Sequence, residues 1–297
     1  MEKCSVGIMV YNEVDNLDVL LEAITNQVLD GWTIEEIIFV SSGSTDSSDE
    51  RILSAAQQNH KIKLFKQEQR LGKCSAINLF LKEVKSKICI LINADSLPAK
   101  DSFQILLSSL GERVGLVGAR PVPVNADADL IGFFIGYLWQ IHHRIACMKP
   151  KIGEMFAFRK EIVTSLPENC AVDEAMMEVL CMRSNYRIVY DSRAIIYIKG
   201  AHDIKGCLAQ RRRIAYGHIW LYKNYHYLVS TREKKRIIKA MLQEFSLNPK
   251  IMLFTYLSVL IESIGRILGL WDYYIKKNHN HHIWNVAKSS KGKIRVN

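Results

Sequence analysis

The run Ser5-Val6-Gly7-Ile8-Met9-Val10-Tyr11-Asn12-Glu13 sets the reading of everything after it. Residues 5–10 have the length and apolar character of a buried strand, and the three that follow are polar and stand where that strand would end. Similar apolar blocks recur at 37–40, 62–65, 88–92 and 116–119. Between them lie patterns of helical period at 14–27, 47–57, 73–85 and 101–110. This alternation predicts an α/β fold on a βα-repeated sheet. In open sheets of that kind ligands bind beyond the carboxyl ends of the strands. Three polar segments occupy such ends: Tyr11-Asn12-Glu13, Ser41-Ser42-Gly43-Ser44-Thr45-Asp46 and Asn93-Ala94-Asp95-Ser96. Asp46 and Asp49 are placed to cap the helix after the second of these and to favour its positive end.

Past residue 120 the pattern changes. An amphipathic stretch at 130–148 carries Phe133, Phe134, Tyr137, Leu138 and Trp139, and a strand-like 154–159 precedes a helix with the acidic pair Asp173-Glu174. Strand blocks at 188–190 and 194–198 lead into a basic helix over about 204–222, which holds Gln210-Arg211-Arg212-Arg213. Guanidinium groups are planar, permanently charged forks that match phosphate oxygens, although an arginine run also serves as a solvated basic face. Segment 251–271 is the most hydrophobic, interrupted only by Glu262 and Arg266, which sit four apart and can pair on one helix face. It is just long enough to span a bilayer, but two charges near its middle favour a helix in the membrane interface or packed on the domain.

The chain has 297 residues, 48% of them apolar, and a net charge of +10. Segment 199–240 contains eleven Lys/Arg against two acidic residues, and 276–297 contains six and none. Such basicity calls for anionic partners: nucleotide, nucleic acid or acidic lipid headgroups. Nucleic acid is disfavoured because no aromatic stacking array is interleaved with the arginines. Seven scattered cysteines without Cys-x-x-Cys spacing read as reduced residues of a cytosolic protein. The N-terminal apolar block is too short for a signal peptide.

Taken in order, these pieces resemble the family 2 glycosyltransferases of the GT-A fold. The residues that carry the resemblance are Tyr11-Asn12-Glu13, Ser41 to Asp46, Gly72-Lys73 with Ala76-Ile77-Asn78, and Asn93-Ala94-Asp95. The later ones are Gly153-Glu154-Met155 with Ala157-Phe158-Arg159, Val172-Asp173-Glu174-Ala175, and Gln210 to Arg213. The match covers about residues 3–220, and its specificity comes from the order and spacing of all seven motifs. The resemblance implies a GT-A catalytic domain over 1–225, a Rossmann-like nucleotide-binding sheet, with a helical, membrane-associated extension over 226–297. It implies a donor pocket lined by Tyr11, Asn12, Glu13, Ser42 and Asn93, with Lys73 approaching the base or phosphates. Gln210, Arg211 and Arg213 would grip the diphosphate, while Gly153 and Glu154 face the acceptor. Asp95 matches the last acid of the family's Asp-x-Asp and would bind Mg2+ or Mn2+. Asp173-Glu174 stands where the family keeps the base that deprotonates the acceptor hydroxyl. Counting forward to Asn185-Tyr186 and Tyr190 favours Glu174 over Asp173 for that role.

Four departures qualify the match. Ser41-Ser42 replaces a usual Asp-Asp, leaving the choice between UDP- and GDP-sugar donors open. Asn93 replaces the first acid of Asp-x-Asp, and Glu174 stands where Asp is usual. Ile214 replaces the tryptophan that stacks on an acceptor sugar in chain-elongating members, which favours a non-processive enzyme adding one sugar; the resemblance, with one base and no second carboxylate nucleophile, implies inversion. The expected acceptor is a glycan or a polyprenyl-linked molecule, reached from the cytoplasmic membrane face by a peripheral or monotopic protein. The apolar 251–271 could equally form a homo-oligomer interface. The main rival is a catalytically weakened family member acting as a scaffold subunit. A nucleotidyltransferase is disfavoured because Tyr11-Asn12-Glu13 stands where its Gly-rich phosphate loop would be. His142 and His143 read as core or interface residues. His279, His281 and His282 carry little information, and Trp284 with Ser289 to Gly292 loosely resembles a lid.

Overall fold

The computed structural model describes residues 1–126, 129–277 and 294; the tail histidines and the expected lid therefore lie outside the described residues. The strands are β1 (Glu2–Val10), β2 (Trp32–Ser42), β3 (Ile62–Gln67), β4 (Ile88–Asn93), β5 (Ser96–Pro98), β6 (Val114–Pro123), β7 (Met155–Arg159) and β8 (Arg187–Ile198). The α-helices are α1 (Val14–Thr25), α2 (Ser48–Gln58), α3 (Lys73–Glu83), α4 (Ser102–Ser108), α5 (Leu130–Met148), α6 (Asp173–Arg183), α7 (Ile204–Tyr225), α8 (Lys234–Gln243) and α9 (Pro249–Trp271).

All eight strands join one mixed sheet in the order β3-β2-β1-β4-β7-β6-β8-β5. β1 to β4 are mutually parallel where they pair, so their carboxyl ends open on one edge. β7 runs antiparallel to both β4 and β6, and its register sets Ile92 opposite Met155. That register brings Asn93, just past Ile92, level with the residues that lead into β7. The central strands are buried on both faces, as the near-continuous apolar runs require: Val6, Ile8, Ile38, Phe39, Ile90 and Leu116 are all sealed from solvent.

Two expectations from the sequence need correction. Segments 188–190 and 194–198 are one strand, β8, and not two. Its register against β6 jumps from Gly118–Tyr190 to Arg120–Ile195, so the polar Asp191-Ser192-Arg193 is a bulge inside the strand. β5 was unexpected; it pairs antiparallel with Ile196–Ile198. The capping assignment holds in modified form, with Asp46 Oδ1 accepting the Ser48 amide at 3.0 Å and its Oδ2 accepting from Val14 at 3.3 Å. One aspartate thus serves the starts of both α1 and α2.

α9 lies along α7, and the contact is made by small residues. A Cβ on Gly265 would stand 2.5 Å from Arg211 Cβ, and one on Gly269 would stand 2.6 Å from Ala215 Cβ and 2.7 Å from the Arg212 carbonyl. Ion pairs fasten the two helices: Glu262 accepts from Arg211 Nε at 2.7 Å and from Arg266 Nε at 2.6 Å, and Asp272 takes the Arg212 guanidinium. The opposite face of α9 carries Leu253, Tyr256, Ile267 and Trp271 exposed, and Ile238 and Leu242 of α8 are exposed beside it. Asn248 caps α9 through Lys250 and Ile251, with Pro249 in its first turn. Replacing Gly269 by Val should wedge this seam and cost about 1–3 kcal/mol. The check is a melting curve together with faster tryptic cleavage after Lys250, in the first turn of α9; an unchanged melt would mean that the seam is looser than described.

Candidate active site

The carboxyl ends of β1, β2 and β4 open into a cavity of about 860 Å³, roofed by α5, the start of α6, α7 and α9. Of the residues selected from the sequence, Tyr11, Glu13, Ser42, Lys73, Asn93, Asp95, Gly153, Glu154, Asp173, Glu174, Gln210, Arg211 and Arg213 all line it. Asn12 does not. Its φ of 53° turns it out of β1, and its Oδ1 accepts the Thr45 amide at 2.7 Å. Asn12 therefore binds the loop after β1 to the loop after β2, shaping the floor without facing the cavity. Gly43, at φ 68°, completes that floor: a side chain there would meet the Arg70 amide at 2.8 Å.

The donor-side wall holds a stacked pair that the sequence did not advertise. The Arg70 guanidinium lies 4.0 Å from the Tyr11 ring centroid, a cation–π arrangement at the mouth of the first strand. Arg70 lies two residues before Gly72, whose φ of 92° turns the chain into α3. Its nearness to the Gly72-Lys73 motif was the available signal.

Lys73, the first residue of α3, reaches across the cavity to α6. Its Nζ lies 2.7 Å from Asp173 Oδ2 and 3.2 Å from Glu174 Oε1. The helix below it is fixed to the segment before α6. Asn78 donates to the Leu166 carbonyl at 2.9 Å and accepts the Leu166 amide at 2.7 Å, while Cys74 Sγ donates to the Cys170 carbonyl. This explains the Asn in Ala76-Ile77-Asn78. The acidic pair occupies the first turn of α6, where the helix dipole favours negative charge.

Charge is unevenly shared among the carboxyls. Burial opposes ionisation of Glu174, but the Lys73 ammonium, with Lys151 and Arg213 adding to it, holds its carboxyl below the ordinary value. Burial and the Glu174 charge push Asp173 up, against Lys73. Glu154 is pushed to about 8 by burial, Glu174 and Asp95, with Lys73 and Asn93 pulling the other way. Glu154 sits at φ 51° in a three-residue turn in which the Met155 amide donates to the Gly153 carbonyl. A non-glycine residue there is strained. Its carboxylate accepts from Asn93 Nδ2. The residue expected on the acceptor side thus also touches the Asp95 strand end. Behind it, fully buried Glu178 accepts the Ile152 amide and the Tyr227 hydroxyl, each at 2.8 Å, which fixes the 151–154 segment.

Arg211, Arg212 and Arg213 fan around α7. Arg211 and Arg212 are taken by Glu262 and Asp272, while Arg213 feels Glu174, Asp173 and Glu154. His142 is buried beside Trp139, ring centroids 5.1 Å apart, and burial drives its pKa to about 3. His143 Nδ1 contacts the Tyr190 hydroxyl at 3.0 Å. His142 lines the cavity wall and His143 does not.

No group of three or more His, Cys, Asp or Glu side chains ready to hold a metal occurs among the described residues. The donor set nonetheless suits a hard divalent cation that takes most of its ligands from a diphosphate. Asp95 offers carboxylate oxygens at a strand end, and Glu154, raised by burial, Glu174 and Asp95 in that order, stands beside it.

If Lys73 holds the base ionised, Lys73→Met should raise the pKa of Glu174. The acid limb of the pH–rate profile then moves to higher pH; an unmoved limb would separate Lys73 from the base.

The geometry has counterparts among known proteins. The chain is 21% identical over 274 residues to poly-beta-1,6-N-acetyl-D-glucosamine synthase of Staphylococcus epidermidis, covering 88% of this chain and 66% of that protein. It is 31% identical over 125 residues to undecaprenyl-phosphate 4-deoxy-4-formamido-L-arabinose transferase of Photorhabdus laumondii, covering 40% and 37%. The chain thus spans less than two thirds of either relative's length. The mannosyltransferase PcManGT of Pyrobaculum calidifontis, solved with GDP-Man and Mn2+, superposes with a TM-score of 0.66 at 18% identity, covering 91% of this chain and 87% of that one. Glucosyl-3-phosphoglycerate synthase of Mycobacterium tuberculosis, solved with Mn2+, UDP and phosphoglyceric acid, gives 0.53 at 19% identity, covering 73% and 77%. These likenesses establish the GT-A fold. The sequence profile of glycosyl transferase family 2 matches residues 5–164, more than half the chain, and the protein belongs to that family.

Proposed function

We propose that this chain transfers one sugar from a nucleotide-sugar donor to an acceptor hydroxyl, with inversion, and that Glu174 is the base. The observation that carries the reading is the ion-paired Lys73–Asp173–Glu174 cluster in the same cavity as Asp95, Glu154 and Arg213. Tyr11, Glu13, Ser42 and Arg70 form the donor end, with Asn93 beside Asp95. Gln210 and Arg213 face the diphosphate. Asp95 would hold Mg2+ or Mn2+, with Glu154 the neighbouring carboxylate. Such an ion, when bound, supplies positive charge to the departing diphosphate.

The chain's own residues do the rest. Glu174 takes the acceptor hydroxyl proton as that oxygen bonds to the anomeric carbon. The bond from that carbon to the diphosphate oxygen breaks with its electron pair leaving on the nucleotide, and Arg213 faces the charge that develops. Low-pH protonation of Glu174 removes the base; the Lys73 ammonium postpones that loss. Of the adjacent acids, Glu174 suits the role better than Asp173, which burial and its neighbour push toward the protonated form.

Residues 226–297 form the extension that rests on the cytoplasmic membrane face in this reading. Helix Pro249–Lys276 is long and apolar enough to cross a bilayer, and only 17% of its most apolar 18-residue window is buried. Its small-residue face is pinned to α7 over several turns, which favours a helix lying in the interface with its apolar side toward lipid. Lys234, Lys235, Lys239 and Lys250 flank that side and suit anionic headgroups. All seven cysteines are free, as a reducing compartment requires. A polyprenyl-linked or glycan acceptor fits this placement, and the relative from Photorhabdus laumondii is named for undecaprenyl phosphate.

Nucleotide release from a panel of UDP-, GDP-, dTDP- and CMP-sugars with Mg2+ or Mn2+ tests the chemistry. One donor should be used, Asp95→Asn should abolish metal-dependent release, and Glu174→Gln should lower transfer by about 10²–10⁴-fold. Silence across the panel with lipid extract present would favour the scaffold reading. Flotation with vesicles containing anionic lipid should carry the protein upward, less so at high salt. Full recovery in the soluble fraction without detergent would count against membrane docking.

A further inference from the structure

One arm of the cavity is not used by donor or base. It runs between α7, α9 and the 3-10 turn Ser230–Arg232, bounded by Arg211, His218, Thr231, Glu262 and Arg266, and Arg232 closes its end. Three guanidiniums share this space with one carboxylate. Glu262 takes the Nε groups of Arg211 and Arg266, which orients both forks and leaves the terminal nitrogens of Arg266 without a partner among the described residues. Arg232 donates to the Ala215 carbonyl at 3.4 Å and pairs with no acid among the described residues. The next cation, Lys151, faces Glu178 at 3.7 Å. Three positive charges against one leave a surplus of two in a half-buried arm, and charges removed from water are costly unless countered.

His218 reports the same surplus. Its ring makes no hydrogen bond among the described residues, and the charged groups around it come from every wall: Arg211 from α7, Arg232 from the 3-10 turn, Glu262 and Arg266 from α9, Lys151 from the segment before β7. Burial, then Lys151, Arg232, Arg211 and Arg266, holds it well below its ordinary pKa. From this arm the cavity wall turns apolar, through Ile214 of α7, Ile237 and Met241 of α8, Val259 of α9, and Leu138 and Ile141 of α5.

We propose that this arm binds the phosphate of an amphiphilic acceptor, with Arg211, Arg232 and Arg266 as counter-charges, Thr231 and His218 as hydrogen-bonding groups, and the apolar wall receiving the tail. This deepens the transferase reading and rests on it. A phosphate monoester carries up to two negative charges and three acceptor oxygens, which matches both the surplus charge and the fork geometry. Ile237 and Met241 in that wall belong to α8, which also carries Ile238 and Leu242 exposed, so cavity wall and exposed apolar surface share one helix.

The test uses the full chain, with decyl phosphate and inorganic phosphate as probes and the His218 ring signal, identified by its loss in His218→Asn, as the NMR readout. Decyl phosphate should shift that signal and raise the pH midpoint of its titration, because the anion offsets the surrounding cations. It should bind at least about tenfold more tightly than inorganic phosphate, and Arg232→Gln and Arg266→Gln should each weaken it by about tenfold or more, the loss of one charge-assisted contact. Arg266→Lys, which keeps the charge and loses the fork, should lie between, so that a misfolded Gln variant does not decide the matter. A His218 signal unmoved by either probe overturns the site. Equal affinity for the two probes assigns the arm to free phosphate and overturns the amphiphilic acceptor. Nucleotide release measured on the same sample keeps the two readings apart. Release without a His218 shift defeats this site alone, whereas a shift without release keeps the site and defeats the transferase reading.

Discussion

One partly buried ammonium organises the centre of this protein. Lys73 opens α3, and its Nζ reaches two successive carboxylates that open α6, from a position one hundred residues earlier in the chain. Two adjacent acids at a helix start repel each other, and burial worsens that repulsion. Without a cation between them at least one would stay protonated. The cation also has to be placed without slack, which is why α3 is stitched to the 166–170 segment through Asn78 and Cys74. The parallel strands bring Asp95 to the same space, and β7 brings Glu154. The arrangement is therefore a cluster of carboxyls gathered around one ammonium, with Arg213 on the same cavity wall.

Much of the frame was legible in the sequence because it rests on local periodicity. The blocks at 5–10, 37–40, 62–65 and 88–92 became β1 to β4, lengthened at one or both ends. What escaped has physical causes. Asp191-Ser192-Arg193 looks like a turn by composition, yet Asp191 is held by Ser109 at 2.9 Å and by Arg193, so the strand bulges and continues. β5 is three residues ending in Pro98, too little to register as a strand; it survives because β8 supplies its partners. α8 is nearly all polar in its first turn, with Lys234-Lys235-Arg236, and only its packing against α5 reveals it.

The site residues divide in the same way. Those at strand ends could be named because ligands of such sheets bind there, and the fold brings them to one cavity. Long-range pairings were not accessible: no spacing rule connects Lys73 with Asp173, or Asn93 with Glu154, since these depend on how β4, β7 and α6 pack. Asn12 was placed in the donor pocket by its position beside Tyr11, but a positive φ sends it to the neighbouring loop. Arg211 was grouped with Arg213 because they are two apart, which on a helix points them to different sides.

That fan of arginines on α7 has a mechanical consequence. Consecutive residues of one turn hold Glu262 on α9 and Asp272 just past its end, and face the acidic pair across the cavity. At Gly265 and Gly269 backbone meets helix with no compliant side chain between them. A push on α9 along its axis is therefore delivered almost undamped to the peptide unit that carries Arg213. Helix α9 and Arg213 are thereby two ends of one stiff lever whose length is a single helical turn.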